Sequence, residues 1–483
     1  MKIAVVASEA VPFSKTGGLA DVAGTLFKEY VAMGLEAYLF VPLYKKTWEQ
    51  CGEEIHDMGF SIEVHVGRAL RECRVFTLKG PFAGRVFFIS SDEYFGRDEL
   101  YGTPRGDYPD NDQRFIFFSR GVLEVCKRLD LGVDIMHCND WQTGLIPLYM
   151  KTIYGDVPVL RGAVSVLTIH NLGYQGLFPP QSVETAGLGW GVFNPEGVEF
   201  YGRMNFLKAG IVWADVITTV SETYAKEILT PEFGFGLDGV LRKRAASLFG
   251  ILNGIDYEEW NPSADRFITG RYGESDLKGK AACKEELMER CALEGDASSP
   301  LVCFVGRLSA QKGVDIIGDA IPGLIAYGAR LAVIGRGDEP YHRMLNSAKD
   351  RFPRRVFFHD GFDEALAHLV YAGSDIFLMP SRYEPCGLGQ MIAMHYGTLP
   401  VARRTGGISD TVEDGGTGFL FDEYSPASLA RSVGRALDAY ANKRSWQKMM
   451  RDAMGRDFSW AASARKYLKV YNDAVGAGRL VRA

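Results

Sequence analysis

The feature that most constrains this chain is a rhythm. Short apolar runs rich in Val and Ile, most of them leading through a polar turn into an amphipathic segment, recur from the first residues to beyond residue 400. KIAVVAS (2–8), EAYLFVP (36–42), VDIMHCN (133–139), VSVLTIH (164–170) and DVITTVS (215–221) read as buried strands. Apolar on both faces and separated by helical patterns, they predict a parallel sheet covered by helices. After LFGILNGIDYEEWNP (248–262) the same grammar restarts with PLVCFVGRL (300–308), ARLAVIG (329–335), RVFFHDG (355–361), DIFLMPS (375–381) and GTLPVAR (397–403), alternating with helical stretches such as 312–327 and 338–351. Two doubly wound α/β units in tandem fit this better than one sheet of ten strands, and the Asn-Gly and Asn-Pro turns near 253 and 261 mark the hinge. Near the end, Phe458, Ala461, Ala464, Tyr467, Leu468 and Tyr471 lie close to helical spacing, predicting a helix over 457–475 packed on the body.

Length and charge narrow the function classes. With 483 residues, the chain is too long for one hydrophobic core. A net charge of −6 leaves no surplus of Lys and Arg to displace counterions from a phosphate backbone, which argues against a nucleic-acid binder. The RKR cluster at 242–244 reads as a solvated helix face. The eight cysteines form no Cys-x-x-Cys pair and no zinc spacing, so reduced thiols in a cytoplasmic compartment are expected. MKIAVVASEA begins at once as a strand, which predicts no signal or transit peptide, and no apolar run reaches membrane-spanning length.

Ligands of open α/β sheets bind beyond the carboxyl ends of the strands, and the candidate motifs fall there. SKTGGLADV (14–22) follows the opening strand. Gly17 and Gly18 permit close backbone approach, the helix beginning near Leu19 offers free N–H groups to an anion, and Lys15 adds charge. The sequence is neither G-x-G-x-x-G nor a Walker loop, and a plain strand-to-helix turn remains open. In FVGRLSAQKGVD (304–315), Arg307 and Lys312 can converge on one anion, a pairing suited to a pyrophosphate. RRTGGISD (403–410) repeats the glycine turn with Thr405, Gly406 and Gly407.

PSRYEPCGLGQ (380–390) places a lone carboxylate, Glu384, where a buried strand ends. A carboxylate there needs a wet surround or a partner. It either accepts hydrogen bonds from sugar hydroxyls or pairs with Arg382, while Cys386 lacks a base that would make it nucleophilic. From the first unit, HCNDWQTG (137–144) and TIHNLGYQG (168–176) offer Asp140 and His170 as groups that face a sugar, with Trp141 to pack on it, or as satisfied structural residues. The Asp110 and Asp112 pair in PDND has no supporting ligand nearby and predicts no metal.

In order along the chain, KTGGLADV, HCNDWQTGL, TIHNLGYQG, LNGID, GRLSAQKG, PSRYEPCGLGQ and TGGISDTV resemble the bacterial and plant glycogen (starch) synthases of glycosyltransferase family 5. The resemblance implies a GT-B fold, two Rossmann-like domains facing a deep interdomain cleft. The divisions would be 1–250 on the acceptor side, 251–456 binding the nucleotide sugar, and a C-terminal helix, 457–483, crossing back. It also implies retaining transfer of glucose from ADP-glucose to the 4-hydroxyl at the non-reducing end of an α-1,4-glucan, without metal or other cofactor.

Carried over by motif, Lys15, Arg307 and Lys312 would contact the donor phosphates, with Gly18, Thr405, Gly406 and Gly407 supplying turns and backbone donors. Glu384 would bind the glucosyl hydroxyls beside Cys386 and Gly387, His170 and Asn171 would line the sugar site, and Asp21 and Asp140 would orient donor or acceptor. The leaving diphosphate would take the acceptor proton, consistent with the lack of a glycosidase-like carboxylate pair. One position departs from many retaining GT-B enzymes: where they carry a second Glu eight residues after the first, this chain has Ile392. The competing readings are another GT-B nucleotide-sugar transferase and an inactive glucan-binding or regulatory relative.

Overall fold

A computed structural model describes residues 1–103 and 105–482. The chain forms two compact units, one comprising Met1–Val220, Ala225–Ile251 and Trp460–Ala483, the other Ser221–Tyr224 and Leu252–Ser459. Ala483, the last residue of the segment expected to be helical, lies outside the described residues.

In the first unit, strands β1 (Lys2–Val6), β2 (Glu36–Pro42), β3 (Ile55–Val66), β4 (Ala69–Leu78), β5 (Val86–Ser90), β6 (Ile135–Asn139), β7 (Val164–Ile169), β8 (Val216–Thr219) and β9 (Leu248–Gly250) form one sheet. Their order is β9-β8-β7-β6-β1-β2-β5-β4-β3. The strands read from the sequence pair in parallel, with Val5 opposite Leu39 on one side and His137 on the other. The β3–β4 hairpin is antiparallel and β4 pairs antiparallel with β5, whereas the sequence rhythm predicted a purely parallel sheet. The cause is visible in IHDMGFSIEVHV, where exposed and buried residues alternate, as they do in an edge strand with one wet face.

The core of this unit gathers Ile3, Val5, Leu26, Tyr30, Val41 and Val166 with Trp460, Ala464, Tyr467 and Tyr471 of the last helix, Trp460–Arg482. That helix begins later than the sequence suggested. Phe458 and Ser459 remain in the second unit, where Ser459 bridges to Ile255. A buried polar chain fastens the helix to the sheet: Tyr30 Oη donates to Tyr471 Oη at 3.0 Å, and Tyr471 Oη lies 2.8 Å from His137 Nδ1. Burial holds the His137 imidazole down near 3, so the ring is neutral and Nδ1 accepts. Its Nε2–H then faces Thr168 Oγ1 at 2.6 Å.

In the second unit, β10 (Leu301–Val305), β11 (Arg330–Gly335), β12 (Val356–Asp360), β13 (Ile376–Met379), β14 (Leu399–Arg403) and β15 (Phe419–Phe421) form an all-parallel sheet in the order β12-β11-β10-β13-β14-β15. Counting within the unit, this is the doubly wound order 3-2-1-4-5-6, which reverses between β10 and β13. Without its hairpin, the first sheet follows the same order with one further strand, 3-2-1-4-5-6-7, and reverses between β1 and β6. Neighbouring strands at such a switch point send their following loops to opposite faces of the sheet, leaving a crevice for a ligand.

Candidate active site

The loops at the second unit's switch point carry Arg307 and Lys312 after β10 and Glu384 after β13. Gly313 draws the two loops together: it sits at φ 72°, and a Cβ there would stand 2.1 Å from the carbonyl oxygen of Pro380. The Arg382 N–H completes the contact by donating to the Gln311 carbonyl at 2.8 Å. As a result Lys312 Nζ donates to Glu384 Oε2 at 2.6 Å, and Ser381 Oγ donates to the same oxygen at 2.9 Å.

Glu384 therefore pairs with Lys312, and the alternative partner, Arg382, is engaged elsewhere. Its guanidinium lies 2.9 Å from Asp315 Oδ2 and 4.2 Å from the centroid of the Tyr424 ring. Arg307 is exposed, and its guanidinium pairs with no acid among the described residues. The Lys312–Glu384 side chains are 21% and 7% exposed, so the ion pair is well shielded from solvent and salt.

The Thr405-Gly406-Gly407 turn supports this loop from β14. A Cβ on Gly406 would meet the Glu384 carbonyl at 1.9 Å, and one on Gly407 the Cys386 carbonyl at 2.1 Å. The Gly407 N–H donates to the carbonyls of Glu384 and Pro385, both at 3.2 Å. The two glycines are thus required by backbone-to-backbone packing, and the Gly407 N–H that the sequence offered to a phosphate is already used. Ser221 Oγ donates to the Pro385 carbonyl at 2.7 Å, and Thr223 binds both oxygens of Asp410, at 2.6 and 2.9 Å. Cys386 is buried, which pushes its thiol up to about 12 and leaves it inert. Gly387 adopts φ 76°, where a side chain would strike Gln390 and Met379.

In the first unit the switch point brings the loop after β1 beside the loop after β6. The turn containing Lys15 is already wrapped around a carboxyl group from within the chain. Glu9 accepts hydrogen bonds from the Thr16 N–H and, at 2.9 Å, from Thr16 Oγ1, and it also receives the Gly17 N–H. Lys15 itself pairs with Asp21 at 2.7 Å, and Gly18 opens the helix Gly18–Ala32.

After β6, Asp140 stands at φ 56° and ψ −171°, a region that costs a non-glycine residue about 1–3 kcal/mol. Its carboxylate accepts the His170 N–H at 2.8 Å and the Asn171 N–H, so it fixes the turn after β7. His170 Nε2 lies 2.9 Å from Asn139 Oδ1, and burial lowers its imidazole to about 3, leaving a neutral ring. Trp141, read as a platform for sugar, is half-buried, with part of its ring packed against the unit. Phe115 meets it edge-on at 4.9 Å, and a Cβ on Gly176 would stand 2.5 Å from its ring. Asp110 is bound by Arg97 at 2.5 Å and Asp112 by Ser182 at 2.6 Å, so both acids of PDND have protein partners.

Glu9 escaped the sequence reading although the signal was present. Like Glu384, it is an acid a few residues beyond a buried strand. Desolvation raises its carboxyl from 4.5 to about 7 against the opposing Thr16 and Gly17 hydrogen bonds, and Asp140 rises from 3.8 to about 7 mainly by burial, with the Glu9 charge contributing. Both groups hold their protons more tightly folded than unfolded, so between about pH 4 and 7 the unfolded chain has released protons that the folded chain keeps. Stability therefore falls as pH rises through that window. For Glu9 alone the rise corresponds to about 3 kcal/mol. Urea midpoints measured from pH 4.5 to 8 should show Glu9→Gln gaining on the wild type toward alkaline pH; a gap that does not vary with pH would contradict this account.

Comparison with other proteins agrees with this geometry. Residues 2–243 match the family model described as the starch synthase catalytic domain, and residues 289–452 match that of glycosyl transferases group 1. The chain is 48% identical to the glycogen synthase of Thermodesulfovibrio yellowstonii, over 99% of this chain and 98% of that protein. Among solved structures it is similar to the catalytic domain of Starch Synthase IV from Arabidopsis thaliana bound to ADP and acarbose, with a TM-score of 0.89, 31% identity, and 98% and 99% of the two chains covered. The sucrose-phosphate synthase of Thermosynechococcus elongatus shares the fold at a TM-score of 0.63 and 18% identity, over 99% of each chain. With two doubly wound units and a match along its whole length, the chain is a GT-B glycosyltransferase and belongs to the glycogen (starch) synthase family.

Proposed function

We propose that the protein transfers glucose from ADP-glucose to the 4-hydroxyl at the non-reducing end of an α-1,4-glucan, with retention of configuration, in the cytoplasm. The observation that carries this reading is the shielded Lys312–Glu384 pair at the second unit's switch point, with Arg307, which pairs with no acid among the described residues, on the same loop as Lys312. A doubly charged leaving group suits the two cations, and a carboxylate already turned to hydrogen-bond donors suits sugar hydroxyls. ADP in the related plant enzyme supports the same nucleotide here.

In this reading Arg307 and Lys312 bind the diphosphate, and Lys15 is assigned to the same phosphates. Thr405, Gly406 and Gly407 hold the Glu384 loop in place, and Glu384 accepts hydrogen bonds from the glucosyl hydroxyls near Cys386 and Gly387. His170 and Asn171 line the sugar site. His170, being neutral, offers a hydrogen bond without charge, while Asp140 positions it and Asn171 through their backbone. Asp21 orients donor or acceptor, and Gly18 shapes the turn.

The bond from the anomeric carbon to the phosphate oxygen breaks as the bond to the acceptor oxygen forms on the same face. The acceptor proton passes to the departing diphosphate. Arg307 and Lys312 stabilise the charge that develops there, which is where electrostatic catalysis acts most strongly. Incubation of the purified protein with ADP-glucose and glycogen should release ADP and lengthen the glucan, and UDP-glucose should be used more slowly. Failure to release nucleotide from either donor would refute the assignment.

A further inference from the structure

The second unit holds another cluster, whose members are not among the residues assigned to the donor. On the helix Glu364–Gly373, Glu364 and His368 are four residues apart and share a face. Glu259 joins them from the segment after Ile255, so that a ring nitrogen of His368 and one carboxylate oxygen of each glutamate lie within 4.8 Å of one another.

The imidazole is fixed on several sides. It is 1% exposed, Trp260 stacks on it with centroids 4.0 Å apart and planes 8° from parallel, and Phe267 packs at 4.8 Å. His368 Nδ1 lies 2.8 Å from Asp265 Oδ2, which also accepts from Tyr396 Oη at 2.6 Å. With Tyr396 donating to it, Asp265 serves as an acceptor, and the Nδ1 hydrogen points to it.

That leaves Nε2, a buried atom with no hydrogen-bond partner among the described residues. With its hydrogen on Nδ1 the ring carries a bare lone pair at Nε2, and the two glutamate carboxylates belong to the same cluster. A metal ion answers both the lone pair and the two carboxylates.

The geometry points to a site for one divalent first-row transition-metal ion, Zn²⁺ being the best match, held by His368 Nε2 and the carboxylates of Glu259 and Glu364. An imidazole with two carboxylates is a donor set for such ions, whereas Ca²⁺ and Mg²⁺ favour all-oxygen shells. Both glutamates are exposed, so their side chains can swing inward to the roughly 2.0–2.2 Å that Zn²⁺ requires, with water completing the tetrahedron. Asp265 takes the place behind a ligating histidine where a carboxylate commonly fixes the tautomer and ring angle. Bound there, the ion ties the 256–265 segment to the helix and stays outside the glucosyl transfer.

The test uses the full chain, stripped with a chelator and dialysed into metal-free buffer. Calorimetric titration with Zn²⁺ should give one equivalent per chain with micromolar or tighter affinity, and Co²⁺ should produce visible d–d absorption. Glu259→Gln and Glu364→Gln, both at exposed positions, should each weaken Zn²⁺ binding at least tenfold and remove the rise in urea midpoint that Zn²⁺ gives the wild type. Asp265→Asn should weaken binding roughly 10- to 100-fold. The proposal is overturned if Zn²⁺ does not bind stoichiometrically, or if it binds equally well to both glutamine variants.

Discussion

Lys312→Ala should lower kcat/KM by roughly 100- to 1,000-fold, a loss of about 3–4 kcal/mol of transition-state stabilisation. It should also weaken ADP binding measured by calorimetry. Two losses combine in this variant. The departing diphosphate loses a cation, and Glu384, its side chain 7% exposed, loses the ammonium 2.6 Å from its carboxylate. Leaving one member of a shielded pair alone is strongly destabilising to the local structure. Glu384→Ala should cut turnover as deeply while affecting ADP affinity less, since its assigned contact is with the sugar.

Because the two side chains touch, their effects should not add. The double variant should be little worse than the more damaging single change, giving an interaction energy of about 3 kcal/mol in the cycle, the upper end for contacting residues. Strictly additive losses, or small and equal ones at both positions, would remove the pair from the proposed mechanism.

Truncation after Ser459 should unfold the first unit outright. The removed helix contributes Trp460, Ala464, Tyr467 and Tyr471 to the core, at 3%, 0%, 0% and 0% exposure. Deleting one large buried aromatic side chain costs about 3–5 kcal/mol, and a whole domain has a net stability of only about 5–15 kcal/mol. Losing three, about 9–15 kcal/mol, consumes most or all of that margin. Tyr471 adds a polar loss, since without it the Tyr30 hydroxyl and His137 Nδ1 are left facing an apolar interior. Limited proteolysis of the truncated chain should digest residues before 251 while sparing a fragment from the second unit. Resistance of both halves would show that the helix is dispensable.

These two predictions differ in how far the sequence could have led to them. The strands that frame both sites were legible because they are continuous Val- and Ile-rich runs, buried on both faces, and β2 begins and ends where its apolar run does. The β3–β4 hairpin was not, since a half-wet strand carries His56, Asp57, Ser61, Glu63 and His65 among its apolar residues and lacks such a run. Glu384 stood out as an acid at a strand end. Its partner lies 72 residues away, and only the reversal of strand order between β10 and β13 brings the two together.

The glycines of the third motif show a different limit. Their presence signalled close approach, but a sequence does not say what approaches, and here it is the backbone of the Glu384 loop as much as any ligand. Glu9 is not legible in the same way, because its partners are the backbone and hydroxyl of the turn that follows it, which is folded around the Glu9 carboxyl group.

The return of the helix Trp460–Arg482 to the first unit has a consequence for biosynthesis. Residues 1–251 leave the ribosome before the segment that completes their core exists. The intervening Leu252–Ser459 takes roughly 10–40 s to make at about 5–20 residues per second. Throughout that interval the nascent half waits with an unsealed apolar seam, a natural target for chaperones. The later-synthesised unit, nearly continuous in sequence, can reach its native state first, so the order of maturation runs against the direction of translation.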